Sequence, residues 1–357
     1  MVGVAVAQTV EDLGMDFDKR VYATQKNPKG TYTLVMFRER NKKDTDWKQW
    51  GEIGLFDLRD KEMMWKEKFD YNTAVAWCTN RGVLVAKEGE MTMKDWYTGA
   101  PLWAGVGAPI LLDEATGMLL SYGLAGGTKV HGLSLRDGAE YWTARIPATR
   151  SWGWNQVLWE DSVHIVVVND HVDRINIVTG ETDTFEAKTG IADVGQIVAT
   201  AAASVALTVV ANVNNHSDYF YYYTPSSYPP KIIAELHSNL LQADTCYYFS
   251  DRNQVVKLDR RLRPVWTTPL PEKMGAHAVL YAHGPTVYMA NLGYGLKGKG
   301  EHHATGRPFV AAFNAQTGEQ QFLRQLSEGK CMADSAAFTP QGCTVFFPDS
   351  TSYTPFQ

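Results

Sequence analysis

The stretch HGLSLRDGAEYW, residues 131–142, joins a short apolar strand to a small polar turn and then a tryptophan, and variants of it recur along the chain. GLFDLRDKEMMW ends at Trp65 and MTMKDWYTGAPLW ends at Trp103, with the same order of features. The three tryptophans are separated by 38 and 39 residues. A period of about 40 residues predicts a repeat architecture.

The recurring unit keeps constant internal offsets. A small polar residue stands eight positions before each of these tryptophans, and a glycine stands four positions before Trp103 and Trp142. The unit returns in INIVTGETDTF, where its final aromatic, Phe185, comes one place late. It also returns in KLDRRLRPVW, which is one residue shorter, and in FNAQTGEQQF. A degenerate copy is expected within residues 219–236. The residues to which we assign a structural role in the repeat are Trp65, Gly99, Trp103, Gly138, Trp142, Gly180, Trp266, Gly318 and Phe322.

Each period contains four short runs rich in Val, Trp and Thr, separated by Gly, Asn and Asp turns, as in AVAWCTNRG, VLVAKEG, EMTMKDWYTG and APLWAGV. Four strands per repeat are typical of a β-propeller blade. We therefore predict an all-β fold, a single propeller domain over residues 1–357 with four-stranded antiparallel blades. Eight blades are preferred, closed by pairing of the N- and C-terminal strands, because closure removes exposed sheet edges. Seven blades are the alternative.

The units SLRDGAEYW, DWYTGAPLW and FNAQTGEQQF resemble the tryptophan-docking repeat of the PQQ-like, or quinoprotein, β-propellers. The resemblance implies the propeller scaffold and an eight-bladed ring, within the wider group of WD40- and YVTN-like repeat proteins. It implies no catalytic residue, because the quinoprotein dehydrogenases need an adjacent cysteine pair and a set of acidic calcium ligands. The four cysteines of this chain stand far apart. We therefore expect no catalytic residues, no cofactor and no metal.

The composition argues against two classes of partner. The net charge is −5 and the isoelectric point is about 6.0, so no large cationic field is present to bind nucleic acid. No run of 18 apolar residues occurs, which argues against a membrane span. The N-terminus lacks the basic region of a signal peptide, so we predict a cytoplasmic protein. An exported protein whose signal peptide has been removed is the alternative, because AVAQ resembles the end of a cleavage site.

Two insertions, residues 38–50 and 291–307, fall between the second and third strands of their blades. Such connections open on the same face of an up-and-down propeller as the connections between blades. We therefore expect a loop-rich binding face there, with the second, Gly/Lys-rich insertion flexible. Its candidate residues are Trp47, Trp50, Trp152, Trp154, Tyr294, Lys299, His302 and His303. The alternative is that Trp47 and Trp152 fold back as the cores of their loops.

The preferred hypothesis for function is a non-catalytic scaffold that binds a protein or peptide partner through this face. A carbohydrate-binding module or carbohydrate-active enzyme using the same face is the alternative, because aromatic platforms suit sugar rings. A quinone-cofactor oxidoreductase is the third hypothesis and has the least support from the residues.

Overall fold

The computed structural model describes residues 15, 17–122, 129–146, 156–192, 232–271, 274–297 and 301–356. Within these ranges the regular structure consists of 31 β-strands and no helix, so no helix there is suited to crossing a membrane. The strands form eight sheets, seven with four strands and one with three. The prediction of an all-β propeller with about eight four-stranded antiparallel units is confirmed.

Sheets 1 to 3 are simple antiparallel meanders of consecutive strands. Sheet 1 contains β1 (Val21–Lys26), β2 (Tyr32–Phe37), β3 (Trp50–Asp57) and β4 (Glu62–Asp70). Sheet 2 contains β5 (Ala74–Cys78), β6 (Val83–Lys87), β7 (Glu90–Lys94) and β8 (Pro101–Val106). Sheet 3 contains β9 (Ala108–Asp113), β10 (Met118–Tyr122), β11 (Lys129–Ser134) and β12 (Glu140–Arg145).

The same plan continues in the second half of the chain. Sheet 4 contains β13 (Gln156–Trp159), β14 (His164–Val168), β15 (Val172–Asn176) and β16 (Thr182–Phe185). Next along the chain come β17 (Ile191–Ala192) and β18 (Ile232–Ala234). Sheet 5 contains β19 (Leu241–Ala243), β20 (Cys246–Ser250), β21 (Gln254–Asp259) and β22 (Pro264–Pro269).

Sheet 6 is interrupted by a hairpin, and sheet 7 has three strands. Sheet 6 begins with β23 (Ala278–His283) and β24 (Thr286–Asn291). The hairpin consists of β25 (Tyr294–Lys297) and β26 (Glu301–Ala304). Sheet 6 then ends with β27 (Phe309–Asn314) and β28 (Gln320–Gln325). Sheet 7 contains β29 (Ser335–Thr339), β30 (Gly342–Phe347) and β31 (Ser350–Pro355).

The eighth sheet, which we call the composite sheet, joins distant parts of the chain. Its strand order is β17-β18-β25-β26, so the hairpin inside sheet 6 adds to two strands that precede sheet 5. Ile233 of β18 pairs with Ile191 on one side and with Lys297 on the other. The composite sheet does not separate sheets 4 and 5, because Val166 and Phe249 lie in one buried cluster. Seven sheets therefore follow one another along the chain, and the eighth is added to them.

Consecutive sheets pack face to face. Separate buried apolar clusters join sheet 1 to sheet 2, sheet 2 to sheet 3, and so on to sheet 7. Strands β10, β20 and β24 are buried along their length, as expected for strands covered on both faces. This stacking of sheets is the packing that a propeller requires.

The recurring tryptophan docks on the next sheet. Trp103 of sheet 2 is buried, and its Nε1 donates to the carbonyl of Leu135 in sheet 3 at 3.2 Å. A Cβ at Gly138, which has a φ of +71°, would lie 2.7 Å from Cε3 of Trp103. A residue without a Cβ that adopts positive φ is therefore required there.

The same contact recurs at three other junctions, with Nε1–O distances of 2.9 to 3.2 Å. The indole of Trp65 donates to the Trp96 carbonyl and lies against Gly99. The indole of Trp142 donates to the Ile177 carbonyl and lies against Gly180, and that of Trp266 donates to the Ala315 carbonyl and lies against Gly318. None of these four indoles lies free in solvent, because each contacts the glycine turn of the following sheet.

A β-bulge precedes the docking residue in five sheets. In sheet 2, Met93 pairs with Trp103 and Lys94 with Pro101, so Leu102 is the extra residue. Sheets 1, 3, 5 and 6 have the same shift, and their extra residues are Met64, Tyr141, Val265 and Gln321. Bulges increase local twist and redirect side chains. The repeated bulge therefore explains why Leu102, Tyr141 and Val265 are exposed apolar residues at the rim.

Sheet 4 lacks the bulge and departs from the repeat. In the five sheets with the bulge, the docking residue pairs with the residue that stands two positions before the polar turn residue. In sheet 4 the turn residue is Asn176, so the reference residue is Arg174, and the residue paired with it is Asp183. Phe185 lies two residues further on, where it packs against Phe249 of sheet 5 with ring centroids 6.5 Å apart. The prediction that Phe185 takes the place of the tryptophan is therefore corrected: it contacts the next sheet, but from another position.

Ion pairs replace the aromatic docking contact between sheets 4 and 5. Glu160 lies 2.5 Å from Arg174 and 3.1 Å from Arg260 of sheet 5, and the Glu160 side chain is 8% exposed. Arg174 also lies 3.5 Å from Asp183. Arg260 donates to the Tyr247 hydroxyl, which completes a polar junction. In this junction charge pairing does what the indole does elsewhere.

Ring closure stays a prediction. Sheet 7 contains three described strands, and the N-terminal strand that would complete it falls in residues 1–14, outside the described residues. The degenerate copy expected in residues 219–236 also falls largely outside them.

Candidate binding face

The two structured insertions leave the propeller at the same end. In an up-and-down sheet, the turns between strands 1 and 2 and strands 3 and 4 share one end, and the other connections share the opposite end. We call the second end the insertion face and the first the turn face. The insertion before Trp50 and the hairpin β25–β26 both join the second strand of a sheet to the third. Both therefore belong to the insertion face, together with β17 and β18.

The described part of the second insertion is a paired hairpin, whereas its composition suggested a flexible loop. Strands β25 and β26 pair with each other, and β25 also pairs with β18. A Cβ at Gly295 would lie 2.5 Å from both Ile233 Cγ2 and Leu236 Cδ2, so the hairpin packs closely on the segment that precedes sheet 5. Pairing and packing make this insertion part of the core of the insertion face.

A stack of aromatic rings attaches the hairpin to the propeller. Tyr294 lies between the rings of His277 and His302, with centroid distances of 5.2 and 4.2 Å. Tyr294 is 2% exposed, which corrects its prediction as an exposed binding residue. Burial lowers the pKa of His277 to about 3, with further lowering by the nearby His237 and His302. A neutral imidazole therefore lies at the base of the hairpin.

The first insertion folds around Trp47. The guanidinium groups of Arg20 and Arg40 lie over its indole, 5.1 and 4.6 Å from the ring centroid. The ring of Tyr22 packs edge-on against it at 4.7 Å. Trp47 therefore folds back as the core of its loop, which was the alternative prediction. The insertion is a structured element, in which Trp47 holds the loop together.

An open groove of about 750 Å³ lies beside this insertion at the end of sheet 1. We call it the sheet-one groove. Trp50, which is 57% exposed, stands at the start of β3, and Phe37 is buried at the end of β2. The lining residues are Lys19, Phe37, Arg38, Glu39, Lys48, Trp50, Gly51, Glu52 and Lys68. Four cationic and two anionic side chains thus surround an exposed indole.

Most of the charged side chains that line the sheet-one groove make contacts within the protein. Lys19 pairs with Glu52, and this contact raises the pKa of Lys19. Arg38 lies over the rings of Tyr22 and Tyr71, 5.4 and 4.9 Å from their centroids. A carboxylate oxygen of Glu39 accepts the Arg20 amide. These contacts fix the walls of the groove.

The adjoining Asp70 carboxylate anchors the loop that enters β3. It accepts the Gln49 side-chain amide at 3.1 Å and the Asn72 backbone amide at 3.0 Å. Burial would raise the pKa of Asp70, but these hydrogen bonds outweigh it and hold the pKa below the usual value. The loop is thus anchored by a charged acceptor.

A second groove, of about 590 Å³, also opens on the insertion face. We call it the sheet-seven groove. It lies between the connection that follows sheet 6 and the turn between β30 and β31. Its lining includes Lys330, Cys331, Met332, Phe347 and Asp349. Both grooves are therefore found on the face that carries the insertions.

The structure brings some of the predicted site residues together. Trp50 lines the sheet-one groove, while His302 and His303 lie exposed on β26. Trp152, Trp154 and Lys299 lie outside the described residues. Among the described residues, the lining of the sheet-one groove includes none from the β25–β26 hairpin, so a common site for the two insertions stays a prediction.

One cluster has the composition of a metal site. Among the described residues, Glu160, Asp161 and His164 have ligand atoms within 4.8 Å of one another. All three are engaged within the protein: Glu160 pairs with two arginines, and His164 binds Asp161 through Nδ1 and Asn176 through Nε2. These contacts account for the cluster without an ion.

The sequence prediction missed the basic lining of the sheet-one groove. Arg38 and Lys48 lie within or beside the predicted insertion, but Lys68 lies 18 residues beyond Trp50 in the chain. Pairing of Glu52 with Lys68 across β3 and β4 brings Lys68 to Trp50. Alternation in KEKF placed Lys66 and Lys68 on one side of a strand, which was the available signal, but it did not indicate the neighbouring strand.

No family model matches the chain, and no curated protein matches it. Solved structures are similar at low identity. BamB from Moraxella catarrhalis is 14% identical, with a TM-score of 0.37 over 94% of this chain and 83% of that chain. The C-terminal WD40 domain of Sif2 is 8% identical, with a TM-score of 0.37 over 93% and 80%. The Neurospora crassa Pan2 WD40 domain is 9% identical, with a TM-score of 0.33 over 94% and 88%. Function therefore has to be argued from the residues of this chain.

Proposed function

We propose that this protein is a non-catalytic propeller scaffold that binds a protein or peptide partner on its insertion face. The observation that supports this proposal most directly is that both grooves and both structured insertions lie on that one face. The turn face is made of short polar turns such as those at Gly99 and Gly138. Binding residues concentrate in connections held by a rigid scaffold, which is the arrangement on the insertion face.

We also propose that the chain is related to the PQQ-like propellers. The support is the docking geometry, in which an indole N–H donates to a carbonyl beside a positive-φ glycine of the following sheet. Relationship at the level of this repeat carries no cofactor or reaction with it. It accounts for how the blades hold together and leaves the insertion face to specify the partner.

Photo-crosslinking from the two faces tests the proposed function. A photoactivatable amino acid is placed at His303 or Met332 on the insertion face and, as the matched control, at Tyr97 or Val178 on the turn face; all four positions are exposed. We expect a discrete protein adduct in an extract of the source cells from the insertion-face positions. Adducts from the turn face, or from neither face, would contradict the proposal.

A carbohydrate ligand is the second candidate. The exposed indole of Trp50 is the observation that favours it, because a flat aromatic surface stacks on a sugar ring. Screening the purified protein against a panel of immobilised glycans, with Trp50→Ala as the control, distinguishes the two candidates.

A further inference from the structure

Two lysines in the sheet-one groove have no counter-charge among the residues that the structure describes. The carboxylate of Glu52 is taken by Lys19, and Glu39 accepts a backbone amide. Within the described ranges, neither Lys48 nor Lys68 has a carboxylate oxygen within 4.0 Å. Both side chains are exposed. The groove therefore has a local excess of positive charge in a chain whose net charge is −5.

The exposed Trp50 lies beside these lysines. Trp50 pairs with Asp70 across β3 and β4, and Lys68 is two residues from Asp70 on the same strand. Diagonal neighbours on adjacent strands are separated by about 7–8 Å. Lys48 precedes Trp50 by two residues, and its backbone is held by Glu39 and Arg38. An apolar platform is thus flanked by two cations on fixed backbone.

We infer that the sheet-one groove binds an acidic peptide segment of a partner protein, with ligand carboxylates at Lys48 and Lys68 and an apolar side chain on Trp50. This inference rests on the proposed function and adds the chemical class of the partner. Charge complementarity selects an acidic segment, because the free groups of the groove are ammonium groups. The exposed indole supplies the type of aromatic anchor that dominates binding energy at interfaces.

The test uses a fluorescein-labelled heptapeptide of Asp and Glu around one Phe, and a matched Asn/Gln peptide with the same Phe. Binding to the full chain is measured by fluorescence anisotropy. We expect the acidic peptide to bind and the neutral peptide to bind at least about tenfold more weakly, with affinity falling as salt increases. Equal binding of the two peptides would overturn the inference.

Variants locate the binding to the groove. We expect Lys48→Glu combined with Lys68→Glu to weaken binding of the acidic peptide at least about tenfold, and Trp50→Ala to weaken it as well. The matched control is Lys42→Glu combined with Lys43→Glu, which reverses two exposed charges of the same insertion outside the groove; it should change the Kd less than about twofold. Equal losses in both double variants would indicate nonspecific attraction and would contradict the inference.

Two other occupants are outcomes of the same assay. Tighter peptide binding by the full chain carrying Glu11→Gln and Asp12→Asn would indicate that the two acidic side chains of its own N-terminal segment occupy the groove. Displacement of the peptide by polygalacturonate, with tighter binding of the polysaccharide, would indicate an acidic glycan. Either result would overturn the inference. If the peptide fails to bind while crosslinks from His303 persist, the groove inference is wrong and the proposed function stands.

Discussion

Glycine is found at the docking turn where an indole from the preceding sheet needs its space. Gly99, Gly138, Gly180 and Gly318 each face such an indole and have positive φ. In the corresponding turn of sheet 5 the residue with positive φ is Leu262, at 57°, so a residue with a Cβ is accommodated there. The preceding sheet 4 has an aspartate in the docking position, so no indole excludes a Cβ. The choice of residue in the turn thus depends on the neighbouring sheet.

Truncation of Trp103 should destabilise the propeller. Removing a buried tryptophan leaves a cavity between sheets 2 and 3 and an unpaired carbonyl at Leu135, at a cost of about 3–5 kcal/mol. Urea unfolding of Trp103→Ala measures this loss. Trp50→Ala, which removes an exposed indole, is the control and should change stability by less than about 0.5 kcal/mol. Similar losses in both variants would contradict the docking role.

His277 should make the protein sensitive to acid. Its pKa is about 3 in the folded chain against the ordinary 6.5, because it is buried and faces His237, His302 and the Glu235 segment. Below about pH 6.5 the unfolded chain binds the proton and the folded chain does not, so stability falls as the pH decreases toward 3. Above pH 6.5 both states are neutral and this contribution disappears.

The measurement compares unfolding free energies at pH 7 and pH 5. We expect the wild type to lose about 2 kcal/mol more than His277→Asn between these values. His283→Asn, which changes an exposed histidine, is the matched control and should behave like the wild type. If His277→Asn keeps the full acid sensitivity, another group is responsible.

At the scale of elements, the composite sheet shows how two insertions stabilise each other. Neither β17–β18 nor the β25–β26 hairpin has a full sheet of its own, and a two-stranded ribbon is marginally stable in water. Pairing of β18 with β25 produces a four-stranded sheet. Packing of His277, Tyr294 and His302 then attaches that sheet to the propeller. Deletion of residues 295–305 should therefore destabilise the protein.

Substitution of Gly295 tests this packing with less disruption than a deletion. A side chain at this position would meet Ile233 and Leu236 at 2.5 Å, so Gly295→Val should cost about 1–3 kcal/mol through overpacking. Gly329→Val is the matched control, since nothing lies within 4 Å of a Cβ there. Protease sensitivity of the hairpin and the thermal midpoint are the measurements. Unchanged values for Gly295→Val would show that the hairpin packs loosely.

The ionic junction between sheets 4 and 5 should be as important as an aromatic one. Glu160→Gln leaves Arg174 and Arg260 without their shared partner in a mostly buried site, which should cost about 3–5 kcal/mol. Glu181→Gln is the matched control because its pair with Arg261, at 3.4 Å, is exposed. The control should cost less than about 1 kcal/mol. Equal, small losses would show that apolar packing alone holds this junction.

At the scale of the whole molecule, closure requires a fourth strand on sheet 7, which has three strands within the described residues. We expect residues 2–10 to pair with β31, because an unpaired edge strand is a liability that propellers avoid by closure. Removing residues 2–10 should then lower the thermal midpoint and promote association between copies through the free edge. Replacing the same residues with a Gly/Ser segment of equal length is the control for chain length and should have the same effect. A midpoint unchanged by both would exclude this closure.

The sequence by itself determined the repeat and the fold class. Short apolar runs, polar turns with glycine, and tryptophans about 40 residues apart depend on near neighbours in the chain, so they can be seen without a structure. They marked the four tryptophan–glycine sets that dock in the structure, but they misplaced Phe185. They also placed both insertions between the second and third strands of their sheets. Local patterns carry this information because most of the sheets are built from consecutive strands.

Only the tertiary structure decided which distant segments meet. Ile233 pairs with Lys297, and Lys68 reaches Trp50 through strand pairing, although no periodicity links either pair. Other contacts between segments bury Tyr294 between His277 and His302 and place Trp47 between two arginines, so their aromatic character did not predict exposure. Register and burial depend on contacts between segments far apart in the chain, which a pattern of nearest neighbours does not contain.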